Sequence, residues 1–109
     1  MEIMVITHNE IPGFHKWEQA PDCMDFLRAR HRHVFHVECE FYVTDTDREV
    51  EIILKQGMVE DWFKQKFGIP AEFGGRSCET IAKEYLVEHG DCASCIVRED
   101  GLGGAIVKR

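Results

Sequence analysis

Six histidines stand among 109 residues, and two of them form His31-Arg32-His33. Histidine is the side chain that changes charge near neutral pH and the commonest metal ligand. On an extended strand, residues i and i+2 project from the same face, so this pair can grip one ion. The residues that follow support a strand: His31, His33, Phe35, Val37, Cys39, Phe41 and Val43 alternate with Arg32, Val34, His36, Glu38, Glu40, Tyr42 and Thr44. One face is apolar and the other mostly polar, which puts the histidine pair at the rim of the core. A plain pair of surface histidines at a strand end is the alternative. A third ligand must come from elsewhere, and His15 in the preceding loop is the natural candidate. His8 ends an earlier strand candidate and His36 lies on the opposite face, so both are weaker.

Other reactive residues are less pointed. The cysteines, Cys23, Cys39, Cys78, Cys92 and Cys95, are odd in number and read as reduced thiols. Cys92 and Cys95 have metal or redox spacing, yet no second such pair accompanies them, so they read as ordinary thiols. Lys16, Arg28, Arg30 and Arg32 surround the presumed metal site and could meet a phosphate chain, although solvated side chains would serve as well.

The elements that must position these residues follow from pattern. Glu2 to Thr7 reads as a short strand and Asn9 to Arg30 as a long loop, because Pro12, Gly13 and Pro21 interrupt any period. His31 to Thr44 is a long strand, followed by a turn at Asp45–Arg48 and a partner strand over Glu49–Ile53, together a hairpin. Leu54, Met58, Val59, Trp62, Phe63 and Phe67 recur at helical spacing until Gly68 and Pro70. A short Gly-bearing loop leads to Ser77, an N-cap for a second helix through His89 with Cys78, Ile81, Ala82, Tyr85 and Leu86 buried. Cys95–Arg98 and Ala105–Lys108 close the chain as two strands around a Gly-rich turn. The expectation is one α+β domain over residues 1–109, an antiparallel sheet with two helices on one face.

The order of these pieces resembles the 6-pyruvoyltetrahydropterin synthase and 6-carboxytetrahydropterin synthase (QueD) family. Members carry a zinc histidine after the first strand, then His-Gly-His opening a long strand; His15 and His31-Arg32-His33 are similar to these. Ser77-Cys78-Glu79-Thr80-Ile81-Ala82 resembles the family's Thr-Ser-Glu-x-Leu-Ala helix start, and Val97-Arg98-Glu99 resembles its Val-Lys-Glu segment. The resemblance implies the tunnelling fold, with subunit sheets joined into a barrel in a trimer-based oligomer, possibly a hexamer. It implies zinc on His15, His31 and His33, and a pterin ring anchored by Glu99, with polar contacts from Ser77 and Cys78. The N-terminus of the second helix would favour anions and a thiolate there. It implies a lyase acting on a dihydroneopterin triphosphate-type substrate. Leu27 occupies the place of the family's catalytic cysteine, and Gly68–Arg76 holds neither the Asp nor the His of its proton relay. Cys23 or His36 would then have to shuttle protons. A repurposed subunit that binds metal and a pterin or purine without the lyase step is the alternative, and a metal-free structural oligomer is a third.

Composition bounds the classes of partner. Twenty acids against thirteen bases give a net charge of −7, which opposes a sequence-independent grip on nucleic acid. No run approaches the roughly 18 apolar residues of a membrane helix. Met1–Met4 lacks the basic and apolar regions of a secretory signal, so a cytoplasmic protein is the expectation.

Overall fold

Two thirteen-residue strands form the spine of the molecule in a computed structural model that describes residues 1–109. Strand β1 runs over Ile3–His15 and β2 over His31–Val43, paired antiparallel in one unbroken register from Ile3↔Val43 to His15↔His31. A loop carrying a short 3₁₀ helix, Asp22–Leu27, joins them. Helix α1 spans Ile52–Phe67, β3 spans Ala71–Gly74, α2 spans Cys78–Glu88, β4 spans Cys92–Glu99 and β5 spans Gly104–Lys108. The sheet order is β3-β1-β2-β4-β5. No helix is long and apolar enough to cross a membrane.

The alternation along β2 is realised as expected. Phe35, Val37, Cys39, Phe41 and Val43 are buried, and they meet Val59, Phe63 and Phe67 of α1 and Ile81, Ala82 and Tyr85 of α2 in a single core. Both helices therefore cover the same sheet face. Helix α2 follows its sequence pattern closely: Ser77 Oγ accepts the Thr80 N–H (3.2 Å), and the five expected residues are buried.

Four expectations are corrected. Residues 9–15 continue β1 instead of looping, because β2 supplies each of them with a cross-strand partner. Pro12 fits there because β3 reaches only Gly13–His15, which leaves the strand unpaired on that side where proline has no N–H to give. The partner strand over Glu49–Ile53 does not form. Glu49 instead accepts the N–H groups of Thr44 and Asp45 (2.9 Å each), and Glu51 caps α1 by accepting the Leu54 N–H (2.7 Å). Leu54 and Met58 face solvent, so the buried stripe of α1 is Val59, Phe63 and Phe67 with Trp62 partly covered. Finally, β3 pairs parallel with β1 inside the expected loop, so the sheet is mixed and not antiparallel throughout.

Candidate metal centre

The end of the β1–β2 ribbon gathers three imidazoles. His15 and His31 are direct cross-strand partners, and His33 lies two residues along on the same face. Their ring centroids are 4.5, 5.0 and 5.2 Å apart, each pair edge to face. Beneath them Phe35, fully buried, sits 5.1 Å from the His15 ring and 5.6 Å from the His33 ring. An apolar floor of this kind lowers the local dielectric and excludes water from one side.

Every Nδ1 is committed. His15 Nδ1 is 2.9 Å from the Arg76 carbonyl, His31 Nδ1 is 2.9 Å from the Ala29 carbonyl, and His33 Nδ1 is 2.7 Å from Asp100 Oδ2. Since a carbonyl or carboxylate only accepts, each ring carries its proton on Nδ1 and turns a bare Nε2 toward the other two. All three Nε2 atoms are buried and lack a hydrogen-bond partner. A Glu99 oxygen approaches His15 Nε2 at 2.9 Å and His33 Nε2 at 3.4 Å, without the alignment of a hydrogen bond. Unpaired buried nitrogens are costly unless something binds them, and the three lie within 4.8 Å of one another. They could hold a metal ion. Burial keeps the His15 pKa below the ordinary histidine value, which favours the neutral, ligating ring.

Asp100 was not anticipated. It follows β4 with φ of +56°, accepts the Val34 N–H through Oδ1 (2.8 Å), and holds His33 through Oδ2. The His33 hydrogen bond and the Val34 N–H hold its carboxyl below the usual range. An acid in the turn after a strand was the only signal for it, and nothing local ties it to His33.

An open pocket of about 730 Å³ extends from the imidazoles, lined also by Glu99, Ser77, Cys78, Arg76, Trp17 and Leu27. Glu99, Ser77 and Cys78, which the resemblance implies as substrate contacts, line the same pocket as the histidines. Ser77 Oγ is engaged as the α2 cap. Burial, with Glu99 and Glu79 nearby, pushes the Cys78 thiol up to about 12, so the helix N-terminus does not make it a thiolate. Cys23 is exposed on the 3₁₀ helix and does not line the pocket. His36 is on the opposite sheet face, with its Nδ1 3.1 Å from His8 Nε2. The basic cluster also disperses. Arg28 bonds the Ala20 carbonyl and Asp22, and Arg30 pairs with Glu72 over the Phe14 ring, which leaves Lys16 alone of the four on the pocket wall.

No protein-family model matches the chain, and no curated protein matches it significantly.

Proposed function

We propose that this chain is a zinc-binding protein of the tunnelling fold whose pocket takes a planar 2-amino-4-oxo heterocycle, a pterin or a purine. The observation that carries the metal is the trio of bare, buried Nε2 atoms on His15, His31 and His33. Three neutral imidazoles suit zinc and leave a coordination position open toward the pocket. Bound there, zinc would polarise a ligand carbonyl or alkoxide.

The chain's own groups complete the reading. Asp100 orients His33, and the Arg76 and Ala29 carbonyls orient the other two rings. Glu99, one of whose oxygens lies beside His15 and His33, carries an acceptor-only carboxylate that would take N–H donors from the edge of a heterocycle once an ion occupies the imidazoles. Trp17 supplies an aromatic side to the same space.

The lyase reaction of the pterin synthases is the second reading, and the resemblance to that family favours it. Against it, the place of the family's cysteine on the pocket wall is Leu27, Cys23 and His36 lie elsewhere, and a triphosphate would meet only Lys16 of the four basic side chains. A positioned acid–base group is worth about 10²–10⁴-fold in rate. The reading favoured is therefore binding with slow or absent lyase turnover.

Metal analysis of the purified chain and of His31→Ala/His33→Ala tests the first half, with stoichiometric zinc expected in the former and its loss in the latter. Thermal shifts with pterins and purines test the second. Glu99→Ala should keep zinc and lose about 2–5 kcal/mol of heterocycle binding; loss of zinc instead would make Glu99 a metal ligand. Incubation with dihydroneopterin triphosphate separates the two readings, since turnover at the rate of a synthase that has the Cys and Asp–His residues would favour the lyase.

A further inference from the structure

The sheet face turned away from both helices carries a second group of metal-ligating side chains. His8 and Glu10 of β1 and His36 of β2 share this face, with Glu10 directly across from His36 and His8 one row along, across from Glu38. His8 Nε2 is 3.1 Å from His36 Nδ1, and a Glu10 oxygen is 3.8 Å from that same Nδ1. The three donor atoms lie within 4.8 Å of one another.

The His8–His36 spacing of 3.1 Å is that of a hydrogen bond and is also close to the separation of two ligands on one ion. Two imidazole nitrogens bound to one tetrahedral zinc stand about 3.3 Å apart, given Zn–N bonds of about 2.0–2.1 Å. The 3.8 Å separation of Glu10 and His36 is too long for a hydrogen bond, yet a single ion with bonds of about 2.0–2.2 Å spans it. Glu38, whose oxygen is 3.9 Å from His8 Nδ1, adds negative charge beside the group. The turn after β4 passes near the other side of the His36 ring: a Cβ added at Gly101, which has the positive φ that favours glycine, would stand at an ordinary contact distance of 3.5 Å from Nε2.

We propose that His8, Glu10 and His36 form a second cation site, on the opposite face of the sheet from the His15–His31–His33 centre. Two imidazoles and one carboxylate select a borderline transition ion, zinc, nickel or copper, over magnesium or calcium, which prefer all-oxygen sites. The remaining positions would be filled by water, because the face is open to solvent.

The test is metal stoichiometry of the full chain, stripped with chelator and titrated with Zn²⁺ at micromolar protein. Two equivalents are expected for the unaltered chain. His8→Gln/His36→Gln should lose one equivalent and keep the other, whereas His31→Ala/His33→Ala should lose the complementary one. Glu10→Gln should weaken only the outer site, by tenfold or more. Sedimentation of the loaded protein is read alongside. The proposal is overturned if His8→Gln/His36→Gln retains every equivalent that the unaltered chain binds. It is also overturned if the outer equivalent appears only as the mass doubles, because the ion is then shared between copies. Failure of the inner site alone, seen with the His31/His33 variant, leaves the outer count readable.

Discussion

Asp100 accounts for the orientation of His33 by a bond that a single change can isolate. In Asp100→Asn only one oxygen remains for two donors, the His33 Nδ1–H and the Val34 N–H, so an amide N–H must face one of them. Asparagine tolerates the left-handed backbone that Asp100 adopts, so the fold should survive. Partners of this kind are worth about 10–100-fold in metal affinity, and competition against a chromogenic chelator should show such a loss. Equal affinity would mean that Asp100 does not position the ligand. The cysteines give an independent test. Cys39, Cys78, Cys92 and Cys95 are buried and Cys23 is exposed, and the Cys78 thiol is pushed up to about 12 by burial. One fast equivalent of alkylation at pH 8, mapped to Cys23 by mass spectrometry, is expected. Rapid modification of Cys78 would restore it as a reactive group in the pocket.

The candidate metal centre depends on how closely β3 is laid against β1. At Gly13 an added Cβ would fall 2.9 Å from the Phe73 ring and 3.0 Å from the Ala71 carbonyl oxygen. Both belong to β3, and Phe73 is fully buried, so neither can yield freely. Gly13→Ala should therefore cost about 1–3 kcal/mol in urea unfolding. Because His15 is two residues on and paired to the same short strand, zinc affinity should fall as well. A variant with unchanged midpoint and unchanged zinc binding would show that the β1–β3 contact is slack. The second device at this scale is the cap of α1 and the turn before it. Glu49 and Glu51 take up backbone donors there, which is why a segment rich in β-branched residues becomes the start of a helix.

The whole molecule is elongated, 51 × 27 × 22 Å, with a radius of gyration of 14.9 Å where a compact chain of this length has about 13 Å. Long strands on a small core leave edges. The free side of β1 is blunted at His8, whose N–H donates to Gln56 of α1 (3.1 Å), and β3 is only four residues long. The outer edge of β5 has no neighbour, and Leu102 and Ile106 beside it are exposed. An edge of this kind is a template for another strand. Pairing between copies into a closed ring would remove it, so sedimentation equilibrium should give a multiple of the subunit mass, based on three. A mass of one subunit at micromolar protein would contradict this.

Strand β2 and helix α2 were determined by the sequence alone, since each carries its whole signal locally. A period of two with one apolar face fixes which way Phe35, Val37, Cys39 and Phe41 turn, and a Ser77 cap before a helical stripe fixes α2. The same-face geometry of His31 and His33 came with β2. What the sequence did not carry is everything set by a distant partner. Pro12 and Gly13 argue locally for a loop, yet pairing with β2 over thirteen residues outweighs their propensity and brings His15 across from His31. The commitment of His33 Nδ1 to Asp100 joins residues 67 apart, and the outer group of His8, Glu10 and His36 exists only once β1 and β2 are in register. Backbone periodicity is a property of neighbours along the chain. The meeting of ligands is a property of the register between strands, which only the folded sheet sets.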